Sequence, residues 1–85
     1  MKNMIMRNPL ETIRTEKNLK NHQMATIFDV SRATMNSYKN GEPKLLSDTM
    51  LSGVKKLGYN PKQTQKQYGE YRNALAVEIL KEALR

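Results

Sequence analysis

Apolar positions recur at helical spacing along the chain, in blocks separated by residues that stop helices. Asn8-Pro9-Leu10-Glu11 combines a capping side chain, a proline at the first helical position and an acid in the first turn, with Leu10, Ile13 and Arg14 on one face. A first helix is predicted from Pro9 to Lys17. Leu19 follows, and the i, i+3, i+4 spacing of Met24, Ala25, Ile27 and Phe28 predicts a second, short helix over Asn21 to Phe28. Asp29 ends it, because Asp is among the few residues besides Gly that tolerate the left-handed backbone of a tight turn. Val30 beside it is placed to plug the core under that turn. Ser31 offers an oxygen to the unpaired N–H groups of a third helix, which turns Met35 and Tyr38 inward and stops at Asn40-Gly41, with Glu42-Pro43 sealing the break.

Ser47-Asp48 opens a fourth helix with an apolar stripe of Met50, Leu51, Val54 and Leu57, and Gly58 suits its C-terminal cap. Asn60-Pro61 repeats the cap-then-proline signature and starts a fifth segment, which either breaks near Gly69 or runs on to Leu84. No alternating run of β-branched or aromatic residues signals a strand, and no internal repeat is visible. The expected fold is all-α and compact, with five helices, or four plus a C-terminal helix. Its expected parts are an N-terminal arm over residues 1–8, a core unit over 9–60 and a C-terminal helical segment over 61–85.

With 85 residues there is enough chain for one core and too little for two. Cysteine is absent, so packing alone holds that core. The opening Met1-Lys2-Asn3-Met4-Ile5-Met6-Arg7 falls short of a secretion signal or a membrane span, and a cytoplasmic location is expected. Fifteen Lys and Arg against eight Asp and Glu leave a net charge of +7, which favours polyanionic partners through counterion release. One His, no Cys, no glycine-rich phosphate loop and no interpretable pair of carboxylates argue against an enzyme, and neither a metal nor a cofactor is expected.

From Leu19 to Gly41 the chain resembles the helix-turn-helix unit of the phage repressor and Cro family. Leu19, Met24, Ala25, Asp29, Val30 and Ser31 carry the first part of the likeness, and Arg32, Thr34, Met35, Tyr38, Asn40 and Gly41 the second. Leu10 to Arg14 looks like that family's first helix and Met50 to Gly58 like its fourth, so the likeness spans residues 9 to 60. It implies a lambda-repressor-like fold and a transcriptional regulator that binds operator DNA.

In such a unit the third helix lies in the major groove with its N-terminal part against base edges. Met35 and Tyr38 face inward, so Arg32, Ala33, Asn36 and Ser37 are left to read bases. Arg32 can bridge O6 and N7 of guanine, Asn36 can pair with adenine, and Ala33 can meet a thymine methyl. Phosphates are expected at Lys20, Asn21 and His22, beside the N-terminus of the second helix, and at Thr34. The family likeness adds Asn40 and Lys44, in the loop after the third helix, and Lys39 is a further candidate. Three departures stand out. Asp29 occupies a common Gly position, and Lys20-Asn21 replaces Thr-Gln, which leaves Asn21 as a candidate N-cap. Lys39 stands where many members have a glutamate paired with an arginine at the place of Arg14, so Arg14 must turn to Glu42 or point outward.

On a helical wheel Leu75, Ala76, Val77, Ile79, Leu80, Ala83 and Leu84 sweep an arc of about 200°, wider than one neighbouring surface covers. One flank is expected on the domain and the other, with Val77, Leu80 and Leu84, on a second copy. A homodimer predicts an operator that is an inverted repeat of double-stranded DNA, with no membrane partner and no small-molecule effector. The competing function is a protein-binding modulator of the same fold, such as an antirepressor, an antitoxin or a phage-encoded inhibitor. It predicts an exposed apolar anchor where a DNA reader is polar and free of acids.

Overall fold

Five helices and no strand make up the regular structure of the computed structural model, which describes residues 7–85. They are α1 (Pro9–Glu16), α2 (Asn21–Phe28), α3 (Arg32–Lys39), α4 (Asp48–Lys56) and α5 (Pro61–Ala83). Of the N-terminal arm expected over residues 1–8, all but Arg7 and Asn8 lie outside the described residues.

Four of the five helices start under a side-chain cap of the kind the sequence signals. Asn8 Oδ1 accepts from Leu10 N at 2.9 Å, Ser31 Oγ from Thr34 N at 3.0 Å, Ser47 Oγ from Met50 N at 3.2 Å and Asn60 Oδ1 from Gln63 N at 3.0 Å. The exception is α2, where Lys20 holds the cap position and Asn21 is the first helical residue, contrary to Asn21 as the cap. A lysine has no acceptor to offer, and the entry is fixed from the other side: Lys20 N donates to Gln23 Oε1 at 2.8 Å. The turn after α2 has Asp29 in the left-handed conformation (φ 58°, ψ 46°), which lets Val30 N reach back to Ala25 O at 3.0 Å.

The core draws on every helix: Leu10 and Ile13 of α1, Met24 and Phe28 of α2, Met35 and Tyr38 of α3, Met50 and Val54 of α4, and Tyr68 of α5. Ala25 is buried where bulk would force α2 away from its neighbours, and Gly53 lies so close to the Phe28 ring that a Cβ there would stand 2.6 Å from Cδ2. Tyr38 and Tyr68 meet with tilted rings, centroids 6.3 Å apart, and Tyr71 continues the cluster, so these tyrosines pack against each other.

The fifth helix is unbroken at Gly69 and runs 23 residues, roughly 34 Å at 1.5 Å per residue. Its first half seals the core through Thr64 and Tyr68. Ala76 and Ile79 still line a shallow cavity with Asn40, Gly41 and Glu42, while Val77 52%, Leu80 58% and Leu84 76% are exposed, as is Ile79 at 60%. Among the described residues no helix is long and apolar enough to cross a membrane.

Candidate nucleic-acid interface

Helix α3 has its buried residues, Met35 and Tyr38, on one side. Helical geometry then sends Arg32, Ala33, Asn36 and Ser37 to the other. Arg32, Ala33 and Asn36 are exposed, whereas Ser37 is half-buried and its carbonyl accepts from Glu42 N at 3.0 Å. Neither α2 nor α3 contains an acidic residue.

The start of α2 lies against α3. Asn21 and His22 from the first turn of α2 face Arg32, Met35 and Asn36 of α3 across an open cleft of about 280 Å³. Two expected base-reading residues and two expected phosphate-binding residues therefore share one concavity, while Ala33 and Ser37 lie outside its lining. Lys20 is exposed immediately before α2 and lies outside the cleft's lining. Thr34 is also exposed, and its hydroxyl accepts from Ser31 Oγ at 3.0 Å. Asn40 and Lys44 project from the loop after α3, both exposed.

Lys39 departs from its expected place on a phosphate. Its side chain is only 18% exposed and is turned back onto the protein surface, donating to Asn21 Oδ1 and pairing with Glu11 Oε1 at 3.3 Å. The partner of Arg14 is likewise Glu11, not Glu42: Arg14 Nη2 meets Glu11 Oε2 at 2.6 Å, and Arg14 Nη1 donates to Leu19 O at 3.0 Å. One carboxylate on α1 thus serves two cations, one on its own helix and one on α3. The Arg14 guanidinium bonded to Glu11, reinforced by Lys39, holds its carboxyl at about 2, well under the usual 4.5 and against the opposing pull of burial. The consequence for the cleft is a fixed Asn21. With its carbonyl oxygen turned to Lys39, the side chain has its amide N–H groups unengaged, which are donors suited to a phosphate.

A second brace, also not foreseen, is Asn8. Beyond capping α1, its Nδ2 donates to Tyr38 O at 3.0 Å and Lys39 O at 2.8 Å, tying the start of α1 to the end of α3. The only sequence signal was the residue type, since an amide cap has two donors that a serine cap lacks. Among the described residues no buried side-chain polar atom is left without a partner, and no group of three His, Cys, Asp or Glu is placed to hold a metal.

No family model, curated protein or solved structure matches this chain.

Proposed function

We propose that this chain is a sequence-specific regulator that binds double-stranded DNA through a lambda-repressor-like helix-turn-helix unit made of α2, the Asp29–Ser31 turn and α3. In this assignment it is a small Cro-like repressor of phage or mobile-element type, controlled by concentration. The observation that carries the proposal is the cleft between the first turn of α2 and the side of α3. It brings Asn21, His22, Arg32 and Asn36 together without an acid on either helix, in a protein of net charge +7. Arg32 and Asn36 read bases, with Ala33 and Ser37 beside them on α3; Lys20, Asn21, His22, Thr34, Asn40 and Lys44 hold phosphates. A second copy joins through Val77, Leu80 and Leu84, whose exposure on a projecting helix supports a partner of the same apolar character.

Selection of bound sequences from random duplexes, followed by salt titration on the enriched site, tests the assignment. An inverted repeat with half-sites about 34–36 Å apart, or a multiple of that, is expected. Arg32→Ala should cost about 1–3 kcal/mol on that site and flatten base preference, whereas Lys44→Ala should weaken all duplexes alike and lower the salt slope by about one. Equal losses on specific and random DNA for Arg32→Ala would reduce Arg32 to a phosphate contact.

One observation favours a protein partner instead: Leu45, next to Lys44, is 62% exposed and is the kind of apolar anchor protein interfaces use. A random duplex pool without consensus, together with a polypeptide whose binding is lost on Leu45→Ser, would select that function.

A further inference from the structure

The loop between α3 and α4 has no regular structure, yet its backbone is bonded on both sides of Lys44 and Leu45. Gly41 N and Glu42 N return to the last turn of α3, at Tyr38 O and Ser37 O, both 3.0 Å. The remaining bonds come from α5. Arg72 Nε donates to Gly41 O at 2.8 Å, Tyr68 Oη donates to Pro43 O at 2.7 Å, and Gln65 grips Leu46 at both ends. Leu46 N donates to Gln65 Oε1 at 2.9 Å while Gln65 Nε2 donates to Leu46 O at 3.0 Å. Positions 65, 68 and 72 follow the i, i+3, i+7 spacing of a single helix face. Gly41 has φ +75°, and a Cβ there would stand 2.8 Å from the Tyr71 ring, so the loop also lies in direct contact with α5.

Between the anchors at Pro43 and Leu46 stand Lys44 and Leu45, both exposed. We infer that Gln65 is a positioning residue for DNA binding: its two-ended grip on Leu46, backed by Tyr68 and Arg72, sets the loop so that Lys44 is presented to a phosphate without further ordering. The inference rests on the DNA-binding assignment above and deepens it. The chemistry is particular to the amide, which supplies one acceptor and one donor to the two backbone groups of the same residue. Glutamate keeps the acceptor and loses the donor; methionine has the length and neither function. Ordering a loop at the moment of binding costs conformational entropy, and a loop already held has less to lose.

The test compares Gln65→Met, Lys44→Ala and the double variant on a random-sequence duplex and on the enriched site across a salt series. Gln65→Met should weaken binding and reduce the magnitude of the salt slope by about 0.9, the share of one phosphate. The double variant should bind no more weakly than Lys44→Ala alone, because a residue acting through Lys44 has nothing to add once Lys44 is gone. Amide exchange at Leu46 N should accelerate in Gln65→Met free in solution. Should Gln65→Met lose helical structure, Gln65→Glu serves the same comparison. Additive losses, or an unchanged salt slope in a folded Gln65 variant, overturn the positioning role. Failure of the unaltered protein to bind any duplex overturns the DNA assignment as well, and the two failures are thereby distinct.

Discussion

Gly53 and Gly69 are both interior helical glycines, and adding one methyl group to each should move stability in opposite directions. Relative to glycine, alanine favours a helix interior by about 1 kcal/mol. At Gly69 nothing lies within 4 Å of the new Cβ, so Gly69→Ala should realise that gain. At Gly53 the same Cβ would stand 2.6 Å from Phe28 Cδ2 and 2.7 Å from Cγ. Ordinary carbon contacts lie at about 3.5–4.0 Å, so the ring must retreat by about 1 Å. Phe28 is 1% exposed and its neighbours in the core include Met24 and Met35, so it has no open side to retreat into. Overpacking of this kind costs about 1–3 kcal/mol, and a rigid ring sealed on all sides belongs in the upper part of that range. Subtracting the helical gain leaves Gly53→Ala destabilised by about 1–2 kcal/mol, hence about 2–3 kcal/mol below Gly69→Ala. For a domain of this size the two melting temperatures should differ by roughly 10–20 °C. Thermal melts followed by far-ultraviolet circular dichroism, at equal protein concentration, make the comparison. A Gly53→Ala protein that melts with or above Gly69→Ala would show that α2 and α4 are not packed as closely as described.

Asn8→Ala removes a cap and strips the Tyr38 and Lys39 carbonyls of their donor, for a loss of about 2–3 kcal/mol in urea unfolding. Asn8→Asp should fail to rescue it, because the carboxylate caps α1 but faces those carbonyls without a donor; full recovery by Asp would refute the bridge. Glu11, with its carboxyl lowered from 4.5 to about 2, contributes stability that is present above the upper value and is lost as pH falls toward the lower one. Melting temperature in Glu11→Gln should accordingly be lower at neutral pH and depend less on pH across that window; an unaltered acid limb would argue against the Arg14–Glu11–Lys39 network. Leu80→Lys should convert a dimer into a monomer in sedimentation at micromolar concentration, and an unchanged sedimenting mass would remove the α5 face as the contact.

What could be seen in the sequence was what lies within four residues of itself. Asn8, Ser31, Ser47 and Asn60 announce their helices because a cap and the N–H groups it satisfies are local, and Asp29 announces its turn because few residue types tolerate the backbone there. The facing of Met35 and Tyr38 follows from periodicity, and the outward Arg32 and Asn36 follow from it in turn. The partners of Lys39 were hidden because its sequence position shows only a cation near a helix end. Glu11 comes alongside only when α1 meets α3, and Asn21 only when α2 and α3 converge. Asn8 on Tyr38 and Gln65 on Leu46 were invisible for the same reason, being separated by 30 and 19 residues. Gly69 left the fifth helix undecided, since its penalty of about 1 kcal/mol is large for one turn and small for a helix anchored at Thr64 and Tyr68.

In the proposed dimer an uninterrupted α5 would also act as a ruler. In a pair of subunits joined along its projecting end, sliding the contact by one helical turn moves each body by about 5.4 Å along the rod, more than the rise of about 3.4 Å between successive base pairs. Spacer length between half-sites would then be encoded by which leucine meets which. A substitution remote from every nucleotide could retune the preferred operator while leaving each half-site's bases unchanged.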